Sequence, residues 1–306
     1  MTPVTDPQPD LWVLVVTFRS ADVIEGCLRA LPAALEGCGR VGVIVVDNAS
    51  TDQTVEVVGR VRPDAPVVQT GANLGYAAAI NRGLDAVGPV TAPVLVLNPD
   101  VRMAPGSVGP MLKALVGRVG VVVPRLRDLE GDVALSLRRA PRIHRALGEA
   151  VLGGHLAGRR GWGELVVDPA AYGQPHAVEW AAGAAWLLSA ECLRETGLWD
   201  ESFILYSEET DFALRARDRG FVVWFEPAAE AVHAGGERMT SPALYSLMTL
   251  NRVRAFRKRH RRSAAAFRMA LLLGELARSL RTSPVHRAAV RALVTGRATL
   301  PQSNVQ

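Results

Sequence analysis

Three stretches of this chain, "LWVLVVTF" (11–18), "VGVIVVDN" (41–48) and "PVLVLN" (93–98), are aliphatic runs without polar residues at alternate positions. A strand with one face in water alternates. One that does not must be covered on both faces, which is the condition of a parallel sheet with helices above and below it. The segments between carry helical spacing, from about Asp22 to Leu35, from Thr51 to about Val61 and from Tyr76 to Ala86, with a shorter strand-like run "APVVQT" (65–70) before the third. Residues 11–103 are therefore predicted to fold as βαβαβαβ, a Rossmann-like α/β half with a mostly parallel sheet.

In open sheets of this kind ligands gather outside the carboxyl ends of the strands. That rule points to Thr17–Ser20, Asp47–Asp52, Gly71–Gly75 and Asn98–Asp100, all polar or glycine-rich. Ser50 or Thr51 can cap the second helix, with Asp52 in its first turn, but the cap does not explain Asp47. Asp47 can accept hydrogen bonds from the imide of a uracil or thymine ring, or close an Asx turn. In "GANLGYAAAIN" a glycine pair permits close backbone approach to a ligand, with Asn73 and Asn81 as donors. GxGxxG does not follow the first strand and GxxxxGK[ST] is absent, so dinucleotide and P-loop chemistry fall back.

At the fourth strand end, Pro99 fixes a turn that aims the carboxylate of Asp100; a divalent ion held there neutralises a departing diphosphate as a Lewis acid. The bland reading of Asn98-Pro99-Asp100 is a common turn tripeptide. The densest acidic cluster is "SEETDFALRARD", where Glu208, Glu209 and Asp211 precede an amphipathic helix. The macrodipole favours acids there, yet three exceed what capping needs. A carboxylate among like charges, with a raised pKa, suits a general base. His233 follows another apolar strand and can complete a metal site with Asp100 and phosphate oxygens for Mg²⁺ or Mn²⁺; alone, a histidine is more often a hydrogen-bonding group.

From 104 to 178 the pattern weakens into a short helix, a "VGVVVP" strand, a basic stretch and the glycine-rich "GGHLAGRRGWG", which together read as a loop or flexible excursion. Residues 1–10 read as a short disordered lead. Cys27, Cys38 and Cys192 have no paired spacing, so neither disulfide framework nor zinc site is suggested, and a reducing cytoplasm fits. "MALLLGELARSL" (269–280) is about half the length that a bilayer demands. The net charge of +5 is concentrated in "NRVRAFRKRHRR" (251–262) and in Arg278, Arg281, Arg287, Arg291 and Arg297. This helical tail is either a solvated face or a contact for anionic lipid headgroups, and no nucleic-acid partner is expected.

Seven blocks in order, "VVTFRS", "VVDNASTD", "TGANLGYAAAIN", "LVLNPDV", "WAAGAAWLL", "GLWDESFILYSEETDFALRARDRG" and "AEAVHAGG", resemble the inverting family-2 glycosyltransferases of the GT-A fold, above all the rhamnosyltransferase-like members of actinobacterial cell-wall assembly. The resemblance runs from about Leu11 to Gly236. It implies a catalytic domain over 11–240, divided into a nucleotide-binding half (11–103) and an acceptor-binding half (104–240), followed by a basic helical region over 241–306. Thr17, Asp47, Asn73 and Gly75 match positions that hold the donor's base and ribose. Arg19, where the family commonly has Asn, is grouped with them, as are Asn81 and Asn98.

By the same resemblance Asp100 matches the metal-binding aspartate, and His233 the histidine completing that site in some relatives. Glu209 matches the catalytic base, a position usually held by the shorter aspartate, and Glu208 remains a rival. Trp180, Gly183, Trp199 and Asp200 match the acceptor side, and Asp211 is placed with them. The implied reaction moves a sugar, first dTDP-rhamnose and then other dTDP- or UDP-sugars, to a glycan or polyprenyl-diphosphate-linked acceptor at the membrane surface. Two other classes stay open: a sugar-1-phosphate nucleotidyltransferase, whose glycine-rich signature and basic pair are missing here, and a sugar-nucleotide-binding protein without turnover.

Overall fold

The computed structural model describes residues 8–235, 241–280 and 284–298. Most of the expected lead (1–7), Gly236 and Arg281 lie outside them. The first half follows the expected alternation: β1 (Leu11–Thr17), α1 (Ile24–Ala34), β2 (Val41–Asp47), α2 (Thr54–Val61), β3 (Val67–Gln69), α3 (Tyr76–Val87) and β4 (Val94–Leu97). Then come β5 (Val101–Met103), α4 (Val108–Ala114), β6 (Val119–Arg127), β7 (Leu137–Arg138), α5 (Ile143–Leu152), α6 (Gly154–Arg159), β8 (His176–Val178), β9 (Trp180–Ala181), β10 (Ala185–Leu188), α7 (Ala190–Thr196), α8 (Glu208–Asp218) and β11 (Val222–His233). Helices α9 (Pro242–Arg259), α10 (Ala264–Ser279) and α11 (Pro284–Thr295) complete the described chain.

The main sheet runs β3-β2-β1-β4-β10-β6-β11-β5, with β8 added beside β11. Val13 and Val15 of β1 enter one core with Leu28 and Leu31 of α1 and Val58 of α2. Leu14 and Val16 enter the other, with Ile80 of α3 and Phe212 of α8. Both faces are therefore dry, which is why the strands show no alternation; each large aliphatic side chain so buried contributes about 1.5–3 kcal/mol. The expected helix start at Thr51 falls later: α2 begins at Thr54, and Asp52 instead accepts from the Thr54 hydroxyl (2.5 Å) and from the Ala21 amide (3.2 Å), stapling two loops together.

Two segments differ from expectation. In the stretch 104–178 the expected short helix and strand are α4 and β6, and β6 lies inside the sheet between β10 and β11; the supposed loop after them contains helices α5 and α6. Ala146 of α5 packs in a third core with Phe256 of α9, Phe267 and Leu271 of α10 and Leu293 of α11. The basic run on α9 is exposed along much of its length, but three of its cations are paired within the molecule. Arg252 reaches Glu149 (3.0 Å) and Glu164 (2.8 Å), Lys258 bridges Asp200 and Asp211, and Arg259 pairs with Asp218. Acids scattered over the preceding hundred or so residues of chain consume these cations, a pairing that no local charge pattern can reveal.

Candidate active site at the strand ends

Strand direction assembles the site. β1, β2 and β4 run parallel and end side by side, at Thr17, Asp47 and Leu97. β10 runs antiparallel to β4, with Ala185 opposite Leu97, so it delivers its start rather than its end to this rim, and the Asn98 amide donates to the Ala184 carbonyl (2.9 Å). β11 pairs antiparallel with β5, placing His233 opposite Val101. Residues far along the chain, at Ala184 and His233, thereby flank Asp100 from both sides.

Asp100 Oδ2 and His233 Nε2 stand 3.3 Å apart. A Cβ built on Gly235 would lie 2.4 Å from that oxygen and 2.9 Å from that nitrogen, so both groups face a space that only a missing side chain keeps open. Ligands at roughly 2.1 Å and right angles around one ion stand about 3 Å apart, so the pair fits a divalent cation. Among the described residues no group of three or more His, Cys, Asp or Glu is placed to hold a metal ion.

On the β1–β2 side, Asp47 accepts from the Ser50 amide through Oδ2 (3.0 Å), the Asx-type turn of the bland reading. Its Oδ1 and the neighbouring Thr17 Oγ1 are buried and meet no hydrogen-bond partner among the described residues. A buried polar atom left so costs about 1–3 kcal/mol, and orphans of this kind mark places where a ligand can supply the missing bond. Asn73 Oδ1 accepts from the Asn48 side chain (2.8 Å) and the Gly75 amide (3.2 Å), while Asn48 Oδ1 accepts from the Leu74 amide (2.9 Å). Asn48, which the sequence left without a role, thus clasps the loop before α3. Arg19, exposed and in the left-handed region (φ 49°), donates its amide to Ser50 Oγ (2.8 Å).

The acidic side is built around Tyr76, at the start of α3, another residue the sequence did not single out. Its hydroxyl donates to the Gly183 carbonyl (3.3 Å), and it is pushed well above its usual pKa by burial first and then by Glu208, Glu209 and Asp100. One phenol therefore lies within electrostatic reach of all three carboxylates. Glu209 packs over Gly183, where an added Cβ would sit 3.5 Å from the Glu209 Cβ. Tyr206 and Ser207, both left-handed (φ 68° and 73°), turn the chain into α8, at a cost of order 1–3 kcal/mol each that the surroundings must hold. Asn251 of α9 supplies part of that hold by donating to the Leu205 carbonyl (2.8 Å) and the Tyr206 carbonyl (3.2 Å).

Glu208 and Glu209 are not equivalent. Glu208 is 4% exposed, and burial, reinforced by Glu209, raises its pKa well above the ordinary 4.5. Glu209 is only half-buried. A carboxyl with a raised folded pKa contributes its full stability below the unfolded value and loses it as pH climbs toward the folded one. Glu208→Gln is therefore expected to gain melting temperature over the parent progressively between pH 5 and pH 8. Thermal melts across that range check this, and a pH-independent difference would remove the raised pKa.

Several expected site residues are also engaged in packing and internal hydrogen bonds. Gly75 (φ 91°) approaches the backbone of Ile204, whose carbonyl oxygen lies 2.4 Å from a built Cβ. Asn81 holds Trp199 at both its amide and its carbonyl (3.0 Å each). Trp199 is 3% exposed and stacks on Phe212 at 4.5 Å. Trp180, half-buried, donates its indole N–H to the Arg139 carbonyl (3.0 Å). Asp211 is bound by Arg215 and Lys258; Asp200, raised by burial but more strongly lowered by Lys258 and Ser202, is pushed down to about 2. The structure brings together Asp100, His233, Gly183, Glu208 and Glu209, with Thr17, Asp47 and Asn98 along the same rim.

The glycosyl transferase family 2 profile matches residues 12–162. An N-acetylglucosaminyl-diphospho-decaprenol L-rhamnosyltransferase of Mycobacterium tuberculosis is 31% identical over 232 residues, 72% of this chain and 75% of the relative. A low-salt glycan biosynthesis hexosyltransferase of Haloferax volcanii is 24% identical over 73% of this chain and 67% of its own. Among solved structures, a mannosyltransferase of Pyrobaculum calidifontis in complex with GDP-Man and Mn²⁺ superposes with a TM-score of 0.56 at 19% identity, over 96% of this chain and 77% of that one. The sheet flanked by helices is the GT-A fold, and the chain belongs to glycosyl transferase family 2 and is a glycosyltransferase.

Proposed function

We propose that this glycosyltransferase moves rhamnose from dTDP-rhamnose, with inversion, to a hydroxyl of a saccharide carried on a polyprenyl diphosphate in a cell-wall or polysaccharide assembly route. The identity with the mycobacterial rhamnosyltransferase supports the transferred sugar and the acceptor class. The observation that carries the chemistry is the juxtaposition of Asp100 and His233 with Glu209 around Tyr76 and Gly183.

Asp47 and Thr17, each with a buried oxygen left over, receive the base, and Asp100 and His233 hold Mg²⁺ or Mn²⁺. When bound, the ion supplies Lewis-acid charge against the diphosphate as it leaves. Glu209 takes the proton of the acceptor hydroxyl as its oxygen attacks the anomeric carbon from the face opposite the diphosphate, so a single displacement inverts the centre. Gly183, beside Glu209, leaves room for the acceptor sugar. Among the described residues no helix is long and apolar enough to cross a membrane, and the protein meets the lipid-linked acceptor at the surface.

Incubation with dTDP-rhamnose, or with other dTDP- and UDP-sugars, and a short-chain polyprenyl-diphospho-GlcNAc acceptor tests this reading. A disaccharide-lipid formed from dTDP-rhamnose with Mn²⁺ or Mg²⁺ and abolished by EDTA is expected. Pyrophosphate exchange in its place points to a nucleotidyltransferase, and binding without turnover to a carrier of the sugar nucleotide.

A further inference from the structure

Helix α10 is amphipathic the wrong way round for a protein in water. At about 100° per residue, its outward arc carries Met269 (54% exposed), Leu273 (51%), Leu276 (43%) and Leu280 (84%), with Ala265, Ala266 and Ala277 filling the gaps. No charged side chain lies on that arc. The helix's carboxylate, Glu275, is 3% exposed and turned inward, where Arg278, His286 and Tyr245 bind it. The apolar surface continues onto α5, whose Ala150 touches α10 at Gly274, through Leu147 (41% exposed) and Val151 (80%). A patch of this kind marks an interaction site.

The charge around it says what it meets. Residues 241–306 contain thirteen lysines and arginines and one carboxylate, Glu275. In the α5–α6 segment, 139–165, the carboxylates are Glu149 and Glu164, both buried and both bound by Arg252. Among the described residues this helical region therefore exposes no carboxylate, while Arg159, Arg160, Arg261, Arg262, Arg287 and Arg291 are exposed. A second copy would bring two cationic surfaces together with no acid between them. An apolar plane with anionic headgroups satisfies both features.

We propose that α10 and the adjoining face of α5 form the membrane-docking surface, lying in the headgroup plane of an anionic bilayer. The proposal rests on the lipid-linked acceptor assigned above and relocates the contact expected of the basic run at 251–262, whose Arg252, Lys258 and Arg259 are bound internally. Docking is read from co-sedimentation with vesicles of phosphatidylcholine alone or mixed with phosphatidylglycerol, without substrate, so it is independent of whether the donor and acceptor are as proposed. The protein is expected to bind the mixed vesicles, and the double variant Leu273→Glu/Leu276→Glu to bind them at least roughly 100-fold more weakly, with an unchanged melting temperature. Arg261→Glu/Arg262→Glu is expected to lose the preference for phosphatidylglycerol. Wild-type indifference to anionic vesicles, parental binding by the leucine double variant, or a dimer in solution that this variant dissociates while vesicles go unbound would each overturn the assignment.

Discussion

Glu209→Gln is expected to lower turnover at least about 100-fold while leaving the affinity for the sugar nucleotide within a few-fold of the parent, because a positioned base contributes roughly 10²–10⁴ in rate and little to ground-state binding. The isostere keeps the packing of Glu209 over Gly183 and removes only the ability to take a proton. Glu208→Gln is expected to retain most of the activity. Glu208 is buried, and burial reinforced by the Glu209 charge raises its pKa, which favours its protonated form and disfavours it as the group that takes a proton. Glu209→Asp should fall between, since withdrawal by one methylene moves the oxygen away from the acceptor hydroxyl. Initial rates and nucleotide titrations on the three variants separate the roles; full activity in Glu209→Gln would remove that residue as the base, and loss confined to Glu208→Gln would exchange the two.

The largest effect on stability is expected from Arg252→Met, at about 3–5 kcal/mol, the usual consequence of stripping the partner from buried charge. Arg252 reaches Glu149 and Glu164 at 3.0 and 2.8 Å, and these carboxylates are 9% and 5% exposed. Glu164 is already raised by burial, against the pull of Arg252, and without the guanidinium two like charges face each other in a dry site. Raised carboxyl pKa values stabilise at low pH, so the variant should recover part of its loss as pH is lowered toward 5. Adding Glu149→Gln and Glu164→Gln should recover more, because replacing a whole buried ionic group is far milder than breaking it. Denaturant melts of the single and triple variants decide this. A single variant as stable as the parent would mean that the cluster is solvated in solution.

What was legible in the sequence follows from how far each signal travels along the chain. β1, β2 and β4 were legible because burial on both faces erases alternation, and the loops after them because strand ends in such sheets collect polar residues. Asp100 and the acid pair 208–209 stood out for the same local reason. Tyr76 did not, since an aromatic at a helix start has the same pattern whether it packs or borders a site. The antiparallel insertion of β10 was hidden in a four-residue strand. Residues 139–165 read as loop because their glycines and arginines suit one, while the apolar surface that folds them lies on α10, over a hundred residues later. The ion pairs of Arg252, Lys258 and Arg259 on α9 were not legible because their acids are equally remote.

Asn251 and Lys258 give α9 a second consequence. Through the Leu205 and Tyr206 carbonyls, and through Asp200 and Asp211, this helix braces the turn that presents Glu209. A chimera that swaps acceptor specificity between relatives would thus need to inherit α9 together with the segment 198–211 as one cassette, and a truncation ahead of Asn251 would remove this brace together with the helices that follow it.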